Sequence, residues 1–339
     1  MNILYVLLAI LMLSVVITIH ELGHFLAAKA CDVKVNRFAL GMGPAFLKKQ
    51  KGETEYSLRL FPIGGFCEME GEDEESEEPR AFSNKKAWQK AVILVAGPAM
   101  NFLLALILMI VLTYQMGVAT TTLDVIIDGS PAQQAGLMQG DELVSVNGNA
   151  IEEWTDLTEY INASDTDTQT IVVRREGQEV TLTCETYEEG GRRMIGVQPA
   201  FEKDLAGAFV QGPKATWNLT RDMYGVLKQL FTGQVSTKEL SGPVGIVYIV
   251  NQTVKTGLLN MIYLMALISL NLGIMNLLPF PALDGGRLVF VIIRKLTGKR
   301  VTDEMEAKVN IAGFLVLIAL MLYVTWNDIA RFIAPLFGG

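Results

Sequence analysis

The chain contains two histidines, and they stand four residues apart in His20-Glu21-Leu22-Gly23-His24. On an α-helix that spacing puts both imidazoles on nearly the same face, able to reach one ion, while Glu21, one step round, approaches a water on that ion. The pattern is HExxH, in which paired imidazoles hold zinc and a carboxylate acts as general base. Catalytic zinc takes three protein ligands and keeps a fourth position for water or substrate. With no further histidine, the third ligand has to be a carboxylate at matching depth. Asp284 qualifies, in Asn276-Leu277-Leu278-Pro279-Phe280-Pro281-Ala282-Leu283-Asp284-Gly285-Gly286. Alone, that segment reads as a helix stop and turn, since two prolines break a helix and free backbone groups that must be satisfied internally. Its pairing with HELGH makes Asp284 a ligand candidate.

The elements that must position these residues are apolar. Of the 339 residues 50% are hydrophobic, and the mean hydropathy is +0.33, above the usual soluble balance. Four stretches approach the roughly 20 residues that a bilayer core asks for: 3–27, 91–114, 257–282 and 309–326. The first lacks a basic leader at Met1–Val6 and is read as a span rather than a cleavable signal peptide. Ionisable groups inside spans are functional by default. A net charge of -8 and no evident basic face argue against nucleic acid as a partner. Cys31, Cys67 and Cys184 are odd in number and far apart, which gives no support for a disulfide framework.

Lysine and arginine near span ends mark the cytoplasmic side. Residues 29–90 hold 11 of them, and 283–308 carries Arg287, Arg294, Lys295, Lys299, Arg300 and Lys308, so both segments are expected in the cytoplasm. Segment 115–256 counts 10 basic against 19 acidic residues and is expected outside, with both termini. Within it, Ser130-Pro131-Ala132-Gln133-Gln134-Ala135-Gly136-Leu137 and the following Gly140-Asp141-Glu142-Leu143-Val144-Ser145-Val146-Asn147-Gly148 give a turn, a short helix, a strand and a turn; residues 151–162 look helical, and 170–174 with 180–184 alternate as a hairpin. This order resembles a circularly permuted bacterial PDZ domain, a module that binds peptides by adding a strand to a sheet edge.

HELGH in the first span, the NxxPxPxLDG segment in the third, a PDZ-like insert between spans two and three and four spans overall resemble the site-2 protease family of intramembrane zinc metalloproteases, in its RseP-like branch. The resemblance covers nearly the whole chain. It implies a multi-span α-helical membrane protein with four transmembrane helices, an inserted α+β PDZ-like domain and a membrane-associated β-hairpin. The implied segments are 1–28, first span; 29–90, cytoplasmic loop with the hairpin; 91–114, second span; 115–200, PDZ-like domain; 201–256, linker with an amphipathic segment; 257–282, third span; 283–308, cytoplasmic connection; and 309–332, fourth span. By the same resemblance His20, His24 and Asp284 bind zinc, Glu21 is the catalytic acid and base, and Asn276 positions substrate or stabilises the oxyanion. Pro279 and Pro281 shape the same region, and Gly97 and Asn101 form a GxxxN pattern at the second span, in which Gly97 lets a neighbouring helix approach and Asn101 supplies a polar tether within helix packing. Gly64, Gly65 and Phe66 lie in the hairpin (56–69) that the family places beside the active site, and are read with Asn101, Pro279 and Pro281 as substrate contacts.

Implied partners are membrane lipid and single-span membrane proteins already shortened by a site-1 protease, such as anti-sigma factors or remnant signal peptides. The implied location is a bacterial inner membrane, with the active site near the cytoplasmic side. Two other classes carry similar residues. A zinc transporter would need ligands at several depths, and no histidine remains to supply them. A catalytically silent scaffold for membrane proteins would not need Glu21. The run Glu68–Glu78 is read as a solvated loop because like charges repel. Ser241–Ile246 is read as lying along the membrane surface.

Overall fold

A computed structural model describes residues 3–72, 76–234, 242–298 and 302–333. The chain folds as two compact units, one formed by residues 1–112 and 212–339, the other by 113–211. Among the described residues, four helices are long and apolar enough to cross a membrane.

In the first unit, α1 (Ile3–Ala30) is followed by two long strands, β1 (Val35–Lys51) and β2 (Thr54–Met69), then by α2 (Ala87–Met116). The strands curl on themselves. Phe38 lies opposite both Cys67 and Tyr56, so the start of β1 runs between residues 55–58 and 65–69 of β2. The hairpin therefore begins earlier than residue 56, at Val35. Its inner side joins α1 and α2 in a buried cluster of Ala28, Val33, Val35, Cys67, Met69, Ile93 and Leu94.

The second unit holds β3 (Val118–Ile126), α3 (Pro131–Gln134), β4 (Glu142–Val146), β5 (Asn149–Ala150), α4 (Trp154–Ala163), β6 (Thr168–Arg175), β7 (Gln178–Glu185), β8 (Tyr187–Glu189), β9 (Arg192–Met194) and β10 (Val197–Glu202). Its main sheet runs β10-β3-β4-β6-β7, with β5 on β4. Leu123, Leu143, Val146, Leu157, Ile161, Ile171, Val173 and Ile195 fill its core. Ser130 caps α3 by accepting from the Gln133 amide, and Pro131 takes the first helical position, where a missing N–H costs nothing.

The chain returns to the first unit through α5 (Leu205–Phe231), followed by α6 (Pro243–Val254), α7 (Leu258–Leu277), α8 (Asp284–Thr297) and α9 (Asp303–Asp328). The described part of 201–256 is thus largely helical, so helix extends well beyond one amphipathic segment of a linker. Ala215, Leu219 and Met223 recur at helical spacing, which gives α5 a face that packs on Ala105, Met109 and Leu112 of α2 and on Ala266 and Leu270 of α7. Ser241 lies outside the described residues. The stretch after it opens α6, and Val250 of α6 is buried against Ala9 and Met12 of α1.

The third apolar stretch stops being helical at Leu277, short of residue 282. Leu278 is extended, as a residue before proline prefers. Segment 283–308, read as a connection, opens with the amphipathic helix α8, and α9 already begins at Asp303. The acidic run starts in β2 and its first members are paired, while residues 76–78 form a loop with Glu77 exposed. Glu68 pairs with Arg37, Glu70 accepts from Asn36 and Ser76, and Glu72 pairs with Arg287. Residues 73–75 of that run lie outside the described residues.

Candidate metal centre and active site

Close helix approach builds the site. A Cβ on Gly23 would stand 2.2 Å from the Ala96 carbonyl oxygen, and one on Gly97 would stand 2.2 Å from His24 Nε2. Only glycine at both positions lets α1 and α2 meet with the imidazole of His24 lying over Gly97. On the other side, Asp284 is the first residue of α8. Gly285 and Gly286 follow it, and a Cβ on either would collide with the carbonyls of Leu277, Leu278 or Phe280. The LDGG run is therefore needed to fold the start of α8 back onto the end of α7.

These approaches bring three side chains together. His20 Nε2 lies 3.1 Å from His24 Nε2, and Asp284 Oδ2 lies 3.2 Å from the first and 3.4 Å from the second. Both histidines are buried, and Asp284 Oδ2 is itself buried without a hydrogen-bond partner. Zinc bonds of ~2.0–2.1 Å at tetrahedral angles separate neighbouring ligand atoms by roughly 3.3 Å. The three observed distances bracket that value, so the residues present fit a zinc ion.

The outward ring nitrogens are also held. His24 Nδ1 donates to the Ile93 carbonyl at 2.8 Å, which leaves Nε2 as the unprotonated, ligating nitrogen. The Asn101 carboxamide lies 3.2 Å from His20 Nδ1, and the Asn101 carbonyl in turn accepts from Ser269 of α7. For Nε2 of His20 to be a ligand, Nδ1 must carry the proton. The orientation of Asn101 compatible with that turns Oδ1 toward the ring. Asn101 is fully buried, which corrects its reading as a substrate contact: a wholly enclosed side chain backs a histidine and cannot touch a peptide.

Glu21 is fixed from the hairpin. Its Oε2 accepts from the Cys67 amide of β2 at 3.0 Å. That amide points away from β1, so the outer edge of residues 65–69 faces the glutamate. Gly65 sits in the same place, where a Cβ would meet the Ala39 carbonyl at 2.8 Å and Glu21 Cγ at 3.7 Å. Gly64 has φ of 83° and Phe66 stacks under the Arg59 guanidinium, 4.7 Å from its ring centre. Asn276 is half-buried in the last turn of α7, and among the described residues nothing hydrogen-bonds its side chain. Pro279 is exposed, and Pro281 packs against Gly313 of α9.

The Ile93 carbonyl, the Cys67 amide and Ser269 escape sequence reasoning. The first two act through backbone, which leaves no side-chain signal, and Ser269 looks like any small residue in an apolar helix.

A family model described as Peptidase family M50 matches residues 8–320. The chain belongs to this family, the site-2 proteases. A relative in Clostridium acetobutylicum, named "Putative zinc metalloprotease", is 37% identical over 328 residues, 96% of this chain and 97% of its own length. The regulator of sigma-W protease RasP of Bacillus subtilis is 31% identical over 410 residues, 95% of this chain and 97% of its own. Among solved structures, the PDZ domain of an SdrC-like protein from Listeria monocytogenes covers 25% of this chain and 87% of that chain, at 21% identity and TM-score 0.21. Membership in a peptidase family gives the converged His20, His24, Asp284 and Glu21 an enzymatic frame.

Proposed function

We propose that this member of the M50 family is an intramembrane zinc metalloprotease that hydrolyses peptide bonds within the transmembrane segments of single-span membrane proteins. The convergence of His20, His24 and Asp284 on one point, with Glu21 beside it, carries the reading. His20 Nε2, His24 Nε2 and an Asp284 oxygen hold the ion. Zinc bound there supplies Lewis acidity toward the scissile carbonyl and acidifies a water.

Glu21 moves the proton. One carboxylate oxygen is tied to the Cys67 amide, leaving the other to accept the proton of the attacking water and return it to the leaving amine nitrogen as the C–N bond breaks. Asn276 faces the developing oxyanion. A helical peptide bond is shielded, so the substrate must unwind first, and the hairpin strand at Gly64, Gly65 and Phe66, next to the Cys67 amide that holds Glu21, offers its backbone a partner. The PDZ-like unit excludes substrates whose external domains remain, and zinc and chemistry stay with the spanning unit. Candidate substrates are anti-sigma factors and remnant signal peptides in a bacterial inner membrane, with both termini of the enzyme and the PDZ-like unit outside.

One comparison tests this. Membranes carrying wild type, Glu21→Gln, Asp284→Ala or a linker-joined deletion of 124–199 are assayed for fragments cut inside spans and for zinc. Glu21→Gln keeps about one zinc per chain and loses cleavage; Asp284→Ala loses both; the deletion also cuts substrates that retain external domains. Wild-type cleavage by Glu21→Gln rules out the mechanism. Full zinc in Asp284→Ala removes that residue as a ligand. A deletion that keeps zinc, cuts shortened substrates and still spares full-length ones moves the filter elsewhere.

A further inference from the structure

We infer that Asn310 of α9 is a positioning residue for Asp284, acting through the backbone of Ala282. The inference rests on Asp284 being a zinc ligand. Ala282 has φ of 74°. Among the described residues, the other non-glycine positions with positive φ are Asp32, Asn147 and Glu176, all polar; Ala282 alone holds this conformation with a bare methyl group. A left-handed alanine is disfavoured roughly tenfold or more, so the surroundings must impose it.

Asn310 supplies the restraint. Its Oδ1 accepts from the Ala282 amide at 3.1 Å. One turn on, a Cβ at Gly313 would stand 2.5 Å from Pro281 Cβ and 2.6 Å from the Pro281 carbonyl oxygen, so α9 lies directly against this segment. The Leu283 amide closes onto Phe280 and the Arg287 amide onto Leu283, which locks the start of α8 two residues beyond Ala282. α9 thereby holds the turn whose shape aims the Asp284 carboxylate at the two histidines, without touching the carboxylate itself.

The test pairs Asn310→Leu, similar in shape but unable to accept, with Asn310→Asp, which keeps an acceptor, and with Ala282→Gly, which removes the conformational penalty. Zinc affinity is read by chelator competition on the full chain in detergent. Asn310→Leu weakens it about tenfold, Asn310→Asp stays within about twofold of wild type, and Asn310→Leu with Ala282→Gly regains most of the loss. A merely structural role for Asn310 would not be repaired at Ala282. The second readout needs no metal: maleimide labelling of Leu283→Cys, with the three native cysteines replaced by alanine, in metal-free protein. Asn310→Leu raises the rate several-fold and Ala282→Gly restores it. Wild-type zinc affinity and labelling in Asn310→Leu overturn the inference, as does a loss that Ala282→Gly leaves unchanged. If Asp284→Ala keeps its zinc but labelling still follows this pattern, the ligand assignment fails while the restraint on the turn stands.

Discussion

Around the candidate metal centre the helices of the spanning unit meet where side chains are missing; in the inserted unit the elements meet where side chains are large. α1 and α2 approach at Gly23 and Gly97, α2 and α7 at Gly273, α8 and the end of α7 at Gly285 and Gly286. In the inserted unit, Leu123, Leu143, Val146, Ile171 and Val173 interdigitate between sheet and helices. The difference follows from solvent. Lipid offers no hydrophobic gain for burying leucine against leucine, so close backbone contact and buried polar bonds hold helices together. Water rewards burial of each large apolar side chain in the inserted unit. Chemistry is placed accordingly, because backbone contact fixes positions within tenths of an ångström, as a metal site requires.

The largest expected effect is at the glycine beneath a ligand. Gly97→Ala places a methyl group 2.2 Å from His24 Nε2, so the ring or the helix must move. Zinc affinity falls by about 10–100-fold or more, the scale seen when an outer partner of a ligand is lost, and cleavage falls with it. Wild-type zinc content and activity in this variant would show that the α1–α2 approach is slack, and the contrast between the units would weaken.

That prediction also marks what a sequence can disclose. HELGH and LDG are legible because side-chain chemistry at fixed spacing carries the signal, and Gly285 and Gly286 sit inside the motif. The partner of Gly97 is not legible, since the collision it avoids is with a residue 73 positions away in sequence. The extent of helix in 201–256 is less legible: α5 mixes Lys214, Arg221 and Lys228 with its apolar stripe, so the sequence suggests an amphipathic segment there without its length or its partners, which are the inner faces of α2 and α7. Asn101 shows the limit from the opposite side. Its type and place in GxxxN were visible, but only the structure turns it toward His20 and away from substrate.

An intermediate effect is expected at the charge pair of the inserted unit. Asp141 is almost wholly buried and accepts two bonds from Arg175, at 2.7 Å each, and one from the Met138 amide. Burial works to raise the carboxyl's pKa; the guanidinium and the amide outweigh it, and the net shift is downward. A lowered folded pKa means that the stabilisation is fully present above the ordinary carboxylate value of about 3.9 and is lost as pH falls through the folded value. Asp141→Asn costs about 2 kcal/mol of this unit's stability near neutrality, and its stability varies less with pH below about 4 than that of wild type. Reactivity of Cys184 in the full chain reports the opening, because burial both hides this thiol and pushes its pKa up to about 11. Zinc content stays at the wild-type level. A parallel loss of zinc would mean that the two units do not separate energetically as their cores suggest.

The smallest effect uses the same substitution as the largest. Gly148 ends the Asn147-Gly148 turn between β4 and β5, with φ of 81° after 51° at Asn147, the pairing that a tight two-residue hairpin turn requires. A Cβ there would meet nothing within 4 Å. The penalty of Gly148→Ala is therefore conformational alone, about 1 kcal/mol, with no neighbour displaced. At Gly97 the backbone is helical and the penalty is wholly steric, delivered to a metal ligand. Gly148→Ala should speed Cys184 labelling by about fivefold, which is what 1 kcal/mol amounts to, and leave zinc and cleavage of an already shortened substrate untouched. If it instead lowered zinc as Gly97→Ala does, glycine in the two units would be serving one purpose, and the contrast drawn between steric and conformational roles would have to be given up.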